Sequence, residues 1–280
     1  MYLEKLRALC ATTAPIFQDI ITHNSAITSS TWNAKVETGK AVEFYSLCCL
    51  AAGLEKLGIG ISIPAIYLEH PDLFYLRNIL PRHHGTQAGH SAAINSIPLS
   101  DRFVAALTPK FIFETVGSKY GIYREGFPIH LIEHLNKGEE EYLDRPDVLI
   151  CRGTMTSKLI SSERIAFTYE SQSGRCEGIL RIKNDALIPI ISYDSNLLNV
   201  PVVGIIECSV SKGDTKAEEQ LRRYLAIYSG ATSPVSLLIN GRRQKCPAYT
   251  HEAFIDMDFD NAEAITGFTA VIDRFSKAII

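Results

Sequence analysis

Residues 200–210 read Val-Pro-Val-Val-Gly-Ile-Ile-Glu-Cys-Ser-Val and contain the most hydrophobic run of the chain. Its first half is apolar and rich in β-branched residues, which is typical of a central strand buried on both faces. A capping-box pattern follows, because Thr215 stands three residues before Glu218, and it predicts a helix that ends at Gly230. Another apolar run, 235–239, predicts a further strand. This strand–helix–strand order indicates an α/β fold.

The rest of the chain divides into two regions around this unit. Residues 1–115 show mainly helical spacing of apolar side chains, whereas residues 116–280 alternate helices and strands. Within the second region a hairpin is predicted over 164–182 and a further strand over 187–193. We therefore predict a central mixed β-sheet flanked by helices in 116–280, preceded by a mainly helical N-terminal region.

The charge balance excludes two classes of protein. The chain of 280 residues has 28 lysines and arginines against 31 acids, a net charge of −3. It is therefore neither an acidic tail protein nor a histone-like basic binder. No signal peptide or transmembrane span is predicted, and the 7 cysteines lack disulfide or zinc spacing, so we expect free thiols in the cytoplasm.

Two acids lie beside predicted strands. Asp147 follows Arg145-Pro146 directly before the apolar run 148–151, and Glu207 ends the central run. Carboxylates on adjacent strands can converge to hold Mg²⁺ through oxygen ligands, with substrate phosphate and water completing the coordination. Asp147 and Glu207 are therefore candidate metal ligands and catalytic residues.

The helix that follows the central strand carries three further candidates. Lys216, Gln220 and Tyr224 are spaced four apart, so they share one helical face. A lysine near a metal-bound phosphate can stabilise developing charge or help to deprotonate a water.

These features together resemble the PD-(D/E)XK nuclease superfamily, to which restriction endonucleases and RecB-type exonucleases belong. The similarity rests on Pro-Asp147, on Glu207 at a strand end, and on Gln220-x-x-x-Tyr224, which resembles a RecB-like element. It spans about residues 128–240 and implies a restriction endonuclease-like core with bound Mg²⁺. It also implies that an acid from the preceding helix joins the metal site, with Glu133 as the first candidate and Glu114 as the second.

The sequence departs from that family pattern at two places. Ser209 stands where the family has lysine, so Lys212 or Lys216 would have to supply the ammonium group. In addition, Glu207 lies 60 positions after Asp147, which predicts that the hairpin and the strand after it are an insertion.

Charge near the candidate site favours DNA. Between residues 205 and 245, seven lysines and arginines face four acids, a local net charge of +3. Arg242, Arg243 and Lys245 follow the last core strand and are candidate phosphate contacts. The histidine-bearing loop 82–90 could also approach DNA, or could serve an unrelated small-molecule enzyme.

We therefore expect a Mg²⁺-dependent DNA endonuclease that hydrolyses phosphodiester bonds, in the first instance a type II restriction endonuclease. Such an enzyme would act on double-stranded DNA as a homodimer, away from membranes, with residues 1–115 serving recognition or dimerisation. Two alternatives remain open: a stand-alone RecB-like exonuclease, and a catalytically incomplete nuclease-like domain that binds DNA or protein without cutting.

Overall fold

The fold is that of a computed structural model, and the structure describes most of the chain in separate stretches. The described residues are 2–23, 34–75, 78, 91–125, 146–172, 174–183, 186–189, 201–209, 216–228, 233–240, 250–254 and 262–280.

Strands occupy much of the described chain after residue 60. They are β1 (Ile61–Ser62), β2 (Phe111–Thr115), β3 (Ser118–Arg124), β4 (Val148–Arg152), β5 (Thr154–Ser161), β6 (Arg164–Ser171), β7 (Gly174–Lys183), β8 (Ala186–Pro189), β9 (Val202–Ser209), β10 (Val235–Asn240) and β11 (Thr250–Phe254).

Helices dominate the N-terminal third and also follow β9 and β11. They are α1 (Tyr2–Thr13), α2 (Gln18–His23), α3 (Ala34–Lys56), α4 (Ala65–Glu69), α5 (Pro71–Tyr75), α6 (Ser91–Ser96), α7 (Leu99–Leu107), α8 (Lys216–Tyr228) and α9 (Ala262–Ala278). A 3-10 turn at Pro15–Phe17 separates α1 from α2, as the proline predicts.

A mixed seven-stranded sheet has the order β1-β2-β3-β4-β9-β10-β11. The strands from β1 to β9 pair antiparallel, whereas β9, β10 and β11 are parallel. Because β9 and β10 are parallel, α8 must run back along the sheet between them. The prediction of an α/β fold with a central mixed sheet flanked by helices is confirmed; the restriction endonuclease-like identity of the core stays a prediction.

The central strand β9 fits its neighbours closely. A Cβ atom added at Gly204 would lie 2.8 Å from Cδ1 of Ile150 on β4. Glycine at this point therefore lets the two strands carry large apolar side chains without a clash.

A second, four-stranded antiparallel sheet has the order β5-β6-β7-β8. It lies in sequence between Asp147 and Glu207, where the sequence predicts an insertion. The predicted hairpin is β6 and β7. Strand β8 matches the start of the strand predicted over 187–193, and residues 190–193 lie outside the described part of the chain. Strand β5, which mixes polar and apolar residues, was not predicted.

Apolar side chains pack against both faces of the main sheet. On one face α3 and α9 bury residues such as Leu47 and Phe275 against Ile150 and Ile206. On the other face α7, α8 and the second sheet pack against Leu149 and Ile205, which alternate with the first pair along β4 and β9.

The predicted boundary between residues 115 and 116 falls within the turn that joins β2 to β3, which pair from Phe111 to Thr115. Helix α3 shares its core with β4, β9 and β10. The two predicted regions therefore contribute to one sheet and one core, since β1, β2 and α3 all come from the first 115 residues. Among the described helices, none is both long and apolar enough to cross a membrane.

Candidate functional site

Strand register brings Asp147 and Glu207 to the same end of the main sheet. Val148 on β4 pairs with Ile206 on β9, so the acid before Val148 lies beside the acid after Ile206. The backbone N–H of Cys208 donates a hydrogen bond of 2.7 Å to Oδ2 of Asp147. The structure therefore brings together the two acids that the sequence singles out.

Two further acids join them from other elements. Glu43 lies on α3, and Glu125 follows the last residue of β3. Carboxylate oxygens of Glu43, Glu125 and Asp147 all lie within 4.8 Å of one another. We call Glu43, Glu125, Asp147 and Glu207 the carboxylate cluster.

Three acids of the carboxylate cluster are buried, and Asp147 is half-buried. Glu43, Glu125 and Glu207 are 7%, 8% and 5% exposed. Burial raises the pKa of Asp147 well above its usual value, and the negative charges of Glu207, Glu43 and Glu125 raise it further. The hydrogen bond from the Cys208 N–H acts in the opposite direction and lowers this pKa. Such mutual repulsion in a desolvated site favours either a proton or a bound cation.

Arg124 places one positive charge against the cluster. Its guanidinium group forms a buried ion pair and hydrogen bond with Oε2 of Glu43. Asn78 fixes the backbone at this point, since its Oδ1 accepts from the Arg124 N–H at 2.8 Å and its own N–H donates to the Arg124 carbonyl at 2.8 Å. Arg124 thus links α3 to the end of β3 and orients the Glu43 carboxylate.

Glu125 has a strained backbone. Its φ is +56°, which is rare for a residue with a Cβ atom, and its N–H donates to the carbonyl of Asp147 at 3.1 Å. This conformation costs of the order of 1–3 kcal/mol, and strain of this kind is concentrated at functional sites.

Cys208 lies on the α3 side of the sheet, opposite in strand alternation to Glu207. Burial and the nearby Asp147, Glu43 and Glu207 carboxylates raise the pKa of its thiol, whereas a hydrogen bond with the Ser46 side chain lowers it. The thiol therefore stays protonated beside the cluster.

The predicted helical residues lie on the side of the sheet that Glu207 faces. Tyr224 is buried with Leu221 in the core beneath α8, together with Ile205, which shares its strand face with Glu207. Gln220 is half-exposed one turn earlier. Because α8 runs back from the end of β9, its first residues, Lys216 included, begin at the end of the sheet that carries the cluster.

Several predicted residues lie outside the described part of the chain. Glu133, Lys212, Arg242, Arg243, Lys245 and the histidine-bearing loop 82–90 are in this group, as is the side chain of Lys216. The strand before Arg242 ends at Asn240, which pairs with Ser209 next to the cluster end of β9. The second candidate acid, Glu114, is exposed and forms an ion pair of 3.2 Å with Lys119.

Sequence reasoning missed Glu43, Glu125 and Arg124. The one signal for Glu43 is a charged residue inside the otherwise uncharged and mostly apolar run 42–50 of a long helix. A carboxylate placed among core positions is rarely buried without a partner.

The carboxylate cluster fits a divalent cation. Its donors are all carboxylate oxygens, which are the ligands that Mg²⁺ and Mn²⁺ prefer. Among the described residues, Arg124 is the cation that pairs with the four acids, through Glu43, so a bound cation would relieve the repulsion that raises the pKa of Asp147. Asp147, Glu207, Glu43 and Glu125 are the residues that would hold it.

No protein-family model, curated protein or solved structure matches this chain.

Proposed function

We propose that this protein is a Mg²⁺-dependent DNA endonuclease that hydrolyses phosphodiester bonds, with a type II restriction endonuclease as the first candidate. The observation that carries the proposal is the convergence of Asp147 with Glu207, Glu43 and Glu125 at one end of a mixed sheet. The spacing of Pro-Asp147, Glu207 and Gln220-x-x-x-Tyr224 supports it, because it resembles the PD-(D/E)XK pattern.

The four acids have two roles in this proposal. Asp147 and Glu207 bind the cation from adjacent strands, and Glu43 and Glu125 complete the anionic site from α3 and the end of β3. Bound Mg²⁺ supplies a Lewis acid that polarises the scissile phosphate and makes a water more acidic. Arg124 acts through Glu43 as a positioning residue, since its guanidinium group contacts that carboxylate.

We expect another part of the chain to supply the ammonium group that a lysine at position 209 would have provided. Lys216 is the first residue of α8 and Lys212 lies between β9 and that helix. Either ammonium group can stabilise charge that develops on the phosphate. Gln220, on the same helical face as Lys216, orients the reacting groups.

A binding-only protein is the second candidate, and Ser209 is the observation that favours it. A nuclease-like domain without a working lysine would bind DNA or protein without cutting. A stand-alone RecB-like exonuclease is the third, favoured by the Gln220-x-x-x-Tyr224 element.

One assay separates the three candidates. Supercoiled plasmid and linear duplex are incubated with the full chain in Mg²⁺ and, separately, in EDTA. An endonuclease nicks or linearises the closed circle only in Mg²⁺, an exonuclease degrades only the linear duplex, and a binding protein shifts both without cutting. Because a restriction endonuclease cuts only DNA that contains its recognition sequence, several plasmids of different sequence are tested. Closed circles that all stay intact in Mg²⁺ contradict the endonuclease proposal.

A further inference from the structure

The four-stranded sheet carries a strongly basic patch on its outer face. Strand alternation directs Ile165, Phe167 and Leu180 into the core, so the neighbouring positions point outward. At the end of the sheet next to the β5–β6 turn these outward positions hold four cations, which are Lys158, Arg164, Arg181 and Lys183. All four are exposed. We call these residues the basic patch.

The cations of the basic patch are neighbours in the sheet. Arg164 on β6 lies directly opposite Arg181 on β7. Lys158 pairs with Ala166, which puts it diagonal to Arg164, and Lys183 is diagonal to Arg164 from the other side. Like charges directly opposite one another destabilise a sheet. An anionic partner would turn this local cost into binding energy.

Little in the described structure neutralises the basic patch. Glu163 contacts Arg181 at 3.3 Å. Among the described residues, no ion pair involves Lys158, Arg164 or Lys183. With one carboxylate against four cations, the patch has a net charge of +3.

At the opposite end of the same face, acids outnumber the cation that they pair with. There Arg175 contacts Glu170 at 3.2 Å and also pairs with Glu177. One cation against two carboxylates gives this end a net charge of −1. Positive charge on the face is therefore concentrated at the β5–β6 turn.

Strand direction places the basic patch toward the end of the main sheet that holds the carboxylate cluster. Gly153, the residue directly before β5, forms a parallel bridge with Tyr120 near the beginning of β3. The Gly153 N–H donates to the Lys119 carbonyl at 2.7 Å. Four residues later, Ser157 lies 3.2 Å from the Thr108 hydroxyl. β5 therefore leaves the beginning of β3 and runs in the same direction as that strand.

The contacts of Thr108 show that β5 reaches the end of β3. The Thr108 carbonyl accepts from Nδ2 of Asn78 at 2.6 Å, and Oδ1 of Asn78 accepts from the Arg124 N–H at 2.8 Å. Ser157 is thus linked to the end of β3, where the carboxylate cluster begins. Lys158 and the turn that leads to Arg164 follow Ser157 in the chain.

We propose that the basic patch binds the phosphate backbone of duplex DNA beside the bond that the carboxylate cluster cleaves, an inference that rests on the proposed nuclease function. Clustered arginine and lysine match a line of phosphates by charge. None of the described outward positions of this sheet is aromatic, so the stacking platforms that single strands use are missing from it. The patch positions DNA without reading its sequence.

The test compares three variants of the full chain in EDTA, so that DNA is bound but not cut. Fluorescence anisotropy gives the dissociation constant of a labelled duplex at several salt concentrations between about 50 and 200 mM. Arg164→Gln lowers the slope of log K against log salt by about 1, and Lys158→Gln with Arg164→Gln lowers it by about 2. Arg175→Gln, at the end of the same face where Glu170 and Glu177 pair with the arginine, leaves affinity and slope unchanged.

Each other outcome has one meaning. Unchanged salt slopes for Arg164→Gln and the double variant overturn the proposal that the basic patch binds DNA. An equal loss of affinity in Arg175→Gln, or a wild-type protein that does not bind duplex, overturns it as well. If wild-type protein cuts DNA while these variants bind normally, DNA binding by the basic patch is overturned and the nuclease function is not. Wild-type protein that binds through the patch but never cuts in Mg²⁺ overturns the nuclease function and leaves the patch standing.

Discussion

The backbone N–H of Cys208 donates a 2.7 Å hydrogen bond to the carboxylate of Asp147. This bond joins the end of β9 to the start of β4, two strands that are 60 residues apart in sequence at their acids. A one-residue slip in the register of the two strands would turn Glu207 to the opposite face of the sheet. The position of the acids therefore depends on the central sheet, and their chemistry depends on two more distant elements, α3 and β3.

Arg124 and Glu43 should be strongly coupled in stability. Their ion pair is buried, with Arg124 1% exposed. Arg124→Met leaves an uncompensated buried carboxylate and should destabilise the protein by about 3–5 kcal/mol, as measured by urea unfolding. The same substitution in a Glu43→Gln background should cost much less. Equal costs in both backgrounds would contradict the coupling.

Asp147→Asn should stabilise the metal-free protein. Asparagine removes the charge that Glu207 and Glu43 repel, while its side-chain oxygen can still accept from the Cys208 N–H. Because burial and these neighbouring charges raise the pKa of Asp147 in the folded protein, the variant should have a higher free energy of unfolding than wild type near pH 7 in EDTA. Thermal unfolding in EDTA measures it, and a variant less stable than wild type contradicts it.

The raised pKa of Asp147 predicts how the stability difference between wild type and Asp147→Asn depends on pH. The pKa of Asp147 is raised in the folded protein, so the folded state binds more protons than the unfolded state above about pH 4. Wild-type stability therefore falls relative to Asp147→Asn as pH rises through the folded pKa. The advantage of the variant should shrink as the pH is lowered toward 4, and a constant advantage would rule out this cause.

Lys110 should give the free energy of unfolding a second pH dependence, opposite in sign to that of Asp147. It is completely buried, its Nζ donates to the Tyr67 hydroxyl at 3.2 Å and the Leu73 carbonyl at 3.1 Å, and burial and the charge of Arg124 lower its pKa well below the usual value. The unfolded state thus binds more protons up to about pH 10, so this residue makes stability rise with pH above its folded pKa.

Lys110→Met should remove that rise. The stability difference between Lys110→Met and wild type should shift with pH by at most about 1.4 kcal/mol per unit, because one proton is involved. Urea unfolding from the neutral to the alkaline range gives the difference, in which the buried cysteines shared by both proteins cancel. Stability curves that stay parallel would contradict a lowered pKa at Lys110.

Lys212 and Lys216 are expected to supply the positive charge that Ser209 does not. Replacing both by Met should reduce the cleavage rate by about 10²–10³, the usual effect of losing a group that stabilises developing charge. Lys277→Met, an exposed site near the end of α9, is the control. Cleavage at the wild-type rate by the double variant would exclude both lysines.

The strands that carry Asp147 and Glu207 were predictable because local sequence specifies them. Residues 200–210 are apolar and β-branched, and Pro146 precedes a short apolar run, so both acids could be placed at strand ends. Strand β9 also lies inside the sheet, between β4 and β10, as its composition indicates.

Glu43 and Glu125 were not predictable, because only tertiary packing brings them to the site. Glu43 reaches it through the packing of α3 on one face of the sheet, and Glu125 through a backbone φ of +56°. Strand β5 was missed for a related reason: its second half is exposed and mixes polar with apolar residues, so its pairing with β6 rather than a hydrophobic pattern determines it.

Mg²⁺-dependent cleavage of a supercoiled plasmid by Asp147→Asn is the most direct test of the central claim. Glu114→Gln serves as the matched control, because Glu114 is an exposed acid of the same sheet that pairs with Lys119 outside the cluster. We predict that Asp147→Asn folds, as judged by its unfolding transition, and loses cleavage, whereas Glu114→Gln cuts like wild type. Cleavage by folded Asp147→Asn at the wild-type rate would contradict the claim that the carboxylate cluster is the active site.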